Sequence, residues 1–136
     1  MRIAKGFTLI ELLIVIAIVA ILAAVLIPNL IGARKRAFDA AALQCARAVA
    51  LTAEAYRTGS GSTNYSFSED DVKDMDPKSC DDTNITISGT YPSDQPSFTL
   101  TVYHAQGTRG YQVEGKANGV EVKEVAKPQA APAPEE

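Results

Sequence analysis

Residues 6–30 read Gly-Phe-Thr-Leu-Ile-Glu-Leu-Leu-Ile-Val-Ile-Ala-Ile-Val-Ala-Ile-Leu-Ala-Ala-Val-Leu-Ile-Pro-Asn-Leu. From Phe7 to Ile27 there are 21 residues, and only Thr8 and Glu11 are not apolar. As an α-helix this run is ~30 Å long, about the thickness of a bilayer's hydrocarbon core. A carboxylate inside such a segment costs roughly 2.5–3.5 kcal/mol if it stays charged and unpaired. Something must compensate for it, so Glu11 is a functional candidate from the outset.

The residues before the run, Met1-Arg2-Ile3-Ala4-Lys5-Gly6, are short and basic. A secretory signal would end its apolar stretch at a small-residue cleavage site. Here Pro28, Asn29 and a helical tract follow Ile27 instead, and the run exceeds an ordinary signal core. Lys5-Gly6-Phe7-Thr8-Leu9-Ile10-Glu11 resembles the class III leader and mature start of type IV pilins. The close resemblance covers about the first 36 residues, and the remaining hundred are similar only in layout. It implies that a prepilin peptidase cuts after Gly6 and methylates the new amine on Phe7. It further implies a subunit held in the inner membrane by a single pass, then built into an extracellular helical filament of many copies. Implied partners are the peptidase and an assembly platform with its ATPases. A plain single-span anchor would explain the apolar length, but not the Gly6–Phe7 junction or Glu11.

In such a stack the cationic amine of Phe7 must enter an apolar core lined by Leu9, Ile10, Leu12 and Leu13 of its neighbours. Opposite charges at ~4 Å attract by about 4 kcal/mol at an effective dielectric of 20. Pairing with Glu11 would therefore offset the burial of both charges and fix the axial register of subunits. The competing role for Glu11 is to complement the helix N-terminus within its own chain, worth roughly 0.3–1 kcal/mol.

At 136 residues there is room for one core. Removing residues 1–6 leaves 11 basic and 16 acidic side chains, net −5, and from Ala37 onward the balance is 8 to 15, net −7. That acidity argues against nonspecific attraction to nucleic acid. The exception is Arg34-Lys35-Arg36, which suits anionic headgroups or acidic groups of neighbouring subunits, with DNA a weaker option. Arg2, Lys5 and the first amine balance that block, so charge alone does not orient the span.

No Gly or Pro interrupts Ala33–Arg57, and Ala37–Ala55 holds nine alanines, so the helix should continue well beyond the span. Phe38, Ala41/Ala42, Cys45, Ala48/Val49, Thr52 and Tyr56 form one apolar stripe, with Asp39 and the other charges largely off it. Gly59-Ser60-Gly61 should end it. Pro28 removes one backbone donor and crowds the turn before it, which predicts a kink. The resemblance implies that residues near Ala20–Pro28 can lose helical order inside a filament.

Ser68-Glu69-Asp70-Asp71 fits a capping box, with Phe67 and Val72 as a staple, so a short helix should run from there to Asp76-Pro77. Period-two alternation follows at Ile85/Ile87, Phe98/Leu100/Val102, Tyr111/Val113 and Val120/Val122, predicting an antiparallel sheet of three or four strands. The expected fold is α+β, a long N-terminal helix packed through its amphipathic half on that sheet. The expected organisation is a leader at 1–6, a span and filament-core helix at 7–30, a head at 31–125 and a disordered Pro/Ala-rich tail at 126–136.

Cys45 and Cys80 are the only cysteines. In an exported chain an even count favours a disulfide, which would clamp the segment after the short helix to the stripe; two unpaired thiols are the alternative. The resemblance is partial here, because many pilins staple a C-terminal loop instead. Seven carboxylates, Glu69, Asp70, Asp71, Asp74, Asp76, Asp81 and Asp82, do not follow the spacing of a calcium loop and read as a solvated face. His104 has no second His beside it, so neither a metal site nor a catalytic triad is supported. Asn64-Tyr65-Ser66 and Asn84-Ile85-Thr86 match the glycosylation sequon only as short patterns. The chain reads as no enzyme and calls for no cofactor. The reading is a structural pilus subunit serving surface motility, adhesion or DNA uptake. A pseudopilin of type II secretion and a minor competence pilin that binds DNA are the alternatives.

Overall fold

The computed structural model describes residues 6–129. The predicted leader up to Lys5 and the tail from residue 130 lie outside the described residues. The chain divides into two compact units between Arg34 and Lys35. Six elements follow in order: α1 Leu9–Gly59, α2 Glu69–Met75, and strands β1 Ile85–Gly89, β2 Phe98–His104, β3 Arg109–Lys116 and β4 Gly119–Ala126.

The strands form one antiparallel meander in the order β1-β2-β3-β4. Register places Ile87 opposite Val102, Val102 opposite Tyr111, Leu100 opposite Val113, and Val113 opposite Val122, so the alternating apolar residues share one face. The other face carries Thr86, Ser88, Thr99, Thr101, Gln112, Glu114, Glu121 and Lys123. Glu114 there is bracketed by Lys116 and Lys123 at 2.6 and 3.2 Å. The turn between β3 and β4 is the two residues Ala117-Asn118, closed by Gly119 at φ +130°, a region that favours glycine. Ala126 is the last residue of β4, paired with Arg109, so the sheet extends one residue into the segment expected to be tail.

Within the second unit, α1 packs on the apolar face of the sheet. Ala42, Cys45, Ala46, Val49 and Ala53 are fully buried, as are Leu100, Val102 and Val113. Burying each Val or Leu contributes about 1.5–3 kcal/mol. Alanines on the helix leave room for the larger strand residues opposite. Two sequence assignments needed correcting. Tyr56, expected on the buried stripe, is 41% exposed and donates its hydroxyl to Asp71 at 2.5 Å. Asp39, expected off the stripe, is 5% exposed. The burial arc is rotated toward Asp39, Ala42, Ala46, Val49 and Ala53, which also recur at spacings of three and four.

Helix α2 starts as the capping motif predicts. The Ser68 hydroxyl accepts the Asp71 N–H, and Asp71 accepts the Ser68 N–H at 2.7 Å. Phe67 and Val72 are both buried. An aromatic cluster closes this end of the core: Phe98 stacks edge-on with Tyr65 and Phe67, and the Tyr65 hydroxyl donates to the Lys116 carbonyl at 2.8 Å. Gly115 lies beneath the Phe98 ring, where any Cβ would collide with it. A two-way bridge between Tyr65 and Gln95 ties the β1–β2 loop to this cluster.

Candidate functional site

In the first unit the sequence builds a helix and leaves its surface bare. Thr8 and Glu11 form its N-terminal cap. The Thr8 N–H and hydroxyl donate to Glu11 Oε2 at 2.9 and 2.7 Å, and the Glu11 N–H donates back to Thr8 Oγ1 at 3.3 Å. This reciprocal pairing starts the helix at Leu9, two residues later than Phe7. Every large apolar side chain from Phe7 to Ile31 is at least half exposed, from 51% at Ile14 to 85% at Phe7. Monomeric soluble proteins rarely expose apolar patches beyond a few hundred Å². The helix is long and apolar enough to cross a membrane. The helical assignment continues through Pro28. Gly6 has open space around it, with nothing within 4 Å of where a side chain would begin.

Residues 1–27 match the family described as the prokaryotic N-terminal methylation motif. A stretch of 39 residues is 87% identical to the type IV wide pilus major component PilA4 of Thermus thermophilus. The N-terminal segment is thus similar to that of a type IV pilus component. The matched stretch is 29% of this chain and 30% of the Thermus protein, so the chain spans less than a third of the length of the curated relative it matches. No solved structure matches the chain. Gly6, Phe7 and Glu11 all fall within the motif residues, and Pro28 stands one position beyond them.

Beyond the matched segment, the structure joins Cys45 to Cys80 in a disulfide with Cα atoms 4.9 Å apart. Cys45 is fully buried on α1, and Cys80 follows the turn after α2. Gln44 donates to Ser79 Oγ at 3.2 Å beside the bond, so α2 and the turn after it are held to the helix at adjacent positions. Gly6 and Glu11 belong to the first unit, and Cys45 and Cys80 to the second.

Sequence reasoning missed two polar anchors of the second unit. Asp39 accepts the N–H groups of Thr108 and Arg109 at 2.7 and 3.0 Å and the Thr108 hydroxyl at 2.8 Å. It thereby fastens the β2–β3 turn to α1. Burial alone would raise its pKa, but the Arg109 and Thr108 hydrogen bonds and the Arg109 charge together hold it below the ordinary aspartate value. The signal for it was the spacing of three between Asp39 and Ala42. Glu54 is the other anchor. It accepts the Val120 N–H at 2.9 Å on edge strand β4, while Arg57 pairs with it at 3.1 Å and donates to the Ala117 carbonyl.

His104 is fully buried, as the parity of Phe98, Leu100 and Val102 implied. It stacks on Phe38 with ring centroids 4.4 Å apart. Its Nδ1 accepts the Gln106 N–H at 3.0 Å, which leaves Nε2–H to donate to Asp82 at 3.2 Å. Both ring nitrogens are thus used in packing. The acidic residues do not converge: among the described residues no group of three His, Cys, Asp or Glu side chains could hold a metal ion. Of the two sequon residues, Asn64 donates to Asp94 and Asn84 to Asp82.

Proposed function

We propose that this chain is a structural, non-enzymatic subunit of a type IV pilus. The observation that carries the reading is the conjunction of a methylation-motif start with a helix whose apolar surface is bare from Leu9 to Ile31. Lipid satisfies that surface before assembly, and the same helices of other copies satisfy it in a filament. Cleavage after Gly6 by a prepilin peptidase frees the Phe7 amine for methylation. Glu11 then pairs with the amine of a neighbouring copy and sets register. The subunit waits in the inner membrane, is extracted by an assembly platform with its ATPases, and ends in an extracellular filament for surface motility, adhesion or DNA uptake.

Shearing filaments from cells and measuring the intact mass of their most abundant polypeptide tests this reading. The expected mass begins at methylated Phe7 and includes one disulfide. A polypeptide that retains Met1–Gly6, or that stays in the envelope and never reaches filaments, would overturn it.

A further inference from the structure

On α1 the residues Arg36, Ala40, Leu43, Arg47 and Leu51 recur at spacings of four and three, so they share one face, opposite the buried arc of Ala42, Cys45 and Val49. Leu51 on that face is 67% exposed, the most exposed large apolar residue in the second unit. Beside the face, Arg36, Asp39, Ala40, Leu43, Arg109 and Tyr111 line a hollow of about 240 Å³. Its lining combines two guanidiniums and the Asp39 carboxylate with Ala40, Leu43 and Tyr111.

The charges of the second unit fall into two groups. Arg57, Lys73, Arg109, Lys116 and Lys123 each pair with a carboxylate. Arg36 and Arg47 have no carboxylate within 4.0 Å among the described residues. Nor do their neighbours Arg34 and Lys35. The carboxylates divide in the same way. Asp71, Asp76 and Asp82 are engaged by Tyr56, Ser79 and Asn84. Asp70, Asp74 and Asp81 are exposed and accept neither a hydrogen bond nor a cation among the described residues, with Lys78 the one unpaired cation near them.

The unpaired acids belong to the segment that the Cys45–Cys80 bond and the Gln44–Ser79 hydrogen bond hold against one flank of α1. No ion pair among the described residues joins them to the unpaired arginines. We propose that the Arg36–Leu51 face of one copy receives the α2 acidic patch of a second copy, with Arg36 and Arg47 meeting Asp70, Asp74 and Asp81. The two surfaces are complementary but different. Such a contact is heterologous and propagates from copy to copy, closing into a ring or continuing as an open helix. Leu51 and Ala40 supply the apolar area that this contact covers. An anionic lipid surface would suit Arg34–Arg36 but leaves the acids and Leu51 without a role. This proposal rests on the filament reading above and names the head contact within it.

The test uses the full chain expressed without a wild-type copy, with filament yield measured by shearing and the membrane-held pool measured alongside. Arg36→Glu with Arg47→Glu should lower filament yield by roughly tenfold or more, since like charges then face each other. Adding Asp70→Lys and Asp74→Lys to the same chain should restore most of it. Unchanged yield from the arginine reversals would overturn the contact. So would a loss that the aspartate reversals do not rescue, which is the outcome expected if a lipid surface is the true occupant. Independently, a chain carrying Arg47→Cys and Asp74→Cys should give a ladder of covalent multimers from oxidised filaments. A single monomer band would again overturn the contact. If wild-type cells make no filaments from this chain, the filament reading falls and the contact falls with it, whereas normal wild-type filaments confine any failure to the contact.

Discussion

Between Leu9 and Ile31, every large apolar side chain of α1 is at least half exposed, while Ala42, Cys45, Ala46, Val49 and Ala53 of the same helix are fully buried. The first stretch is apolar on all sides and carries one carboxylate, whereas the second confines its apolar residues to an arc. The sheet completes the second stretch inside the chain, with Asp39, Glu54 and Cys45 tying helix to strands. Nothing among the described residues completes the first. On the proposed reading, lipid or other copies complete the bare stretch, and its few polar features are then judged by what they do between chains. The covered stretch can be judged by ordinary stability.

The largest effect expected from this contrast is at Glu11. Glu11→Leu removes the one charge of the bare stretch and makes the helix more apolar, so membrane insertion and processing after Gly6 should be intact. Filaments should be absent or scarce when no wild-type copy is present, because the Phe7 amine of a neighbour would then be buried without a counter-charge. Electron microscopy of sheared material, with an immunoblot for the processed chain, reads both steps. Normal piliation would sink the pairing role.

A change in the covered stretch should instead appear as lost stability. Cys45→Ser opens a loop whose ends are 35 residues apart, and the chain-entropy model puts the loss at about 3–4 kcal/mol. Because the bond holds the turn after α2 and not the sheet, hydrogen exchange in detergent should rise most across residues 58–80 and least in β2 and β3. Uniform loosening would mean that the clamp supports the whole head.

Much of this fold was legible in the sequence because strands and caps are local. Alternation at Phe98, Leu100 and Val102 names the inner face of β2, and Ser68 with Asp71 names the start of α2. The stripe on α1 was harder to place. With nine alanines between Ala37 and Ala55, two neighbouring arcs are almost equally apolar, and sequence spacing alone does not choose between them. Tyr56 was drawn in by its ring, and Asp39 was left out by its charge. The structure decides otherwise, because the β2–β3 turn offers Asp39 two N–H groups and a hydroxyl that no pattern within the helix reveals. For the N-terminal segment the legible part was the motif over residues 1–27, since its residues are contiguous.

Asp39 gives the next expected effect. Asp39→Ala leaves the Thr108 and Arg109 N–H groups without their acceptor, at a cost of about 2–3 kcal/mol. The pH dependence follows from the direction of its shift. A carboxyl held below its ordinary value stabilises the fold fully above that value, and this contribution is lost as pH falls through the lowered one. Asp82 behaves alike, lowered by the backbone and side chain of Asn84 and by His104. Thermal melts of the wild-type chain in detergent should therefore be flat near neutrality and fall steeply below about pH 4, and Asp39→Ala should flatten part of that acid limb. An acid limb of unchanged steepness would assign it to other carboxylates.

The smallest expected effect best separates the two ways of reading Glu11. In the single chain its carboxylate is occupied by Thr8, whose N–H and hydroxyl both donate to it. If this cap were the purpose of Glu11, then Thr8→Val, which removes the hydroxyl and keeps the N–H, should damage filaments nearly as much as Glu11→Leu. A helix cap is worth roughly 0.5–2 kcal/mol, and an apolar helix in lipid has little need of it, since its remaining backbone bonds are intact. Losing the hydroxyl also frees one lone pair of Glu11 for another donor, such as the amine of a neighbouring copy. Thr8→Val should therefore be processed, insert, and give filaments within a few-fold of the wild-type yield. Processed Thr8→Val chains that fail to assemble would return Glu11 to a role inside its own helix, and the bare stretch would have to find its register elsewhere.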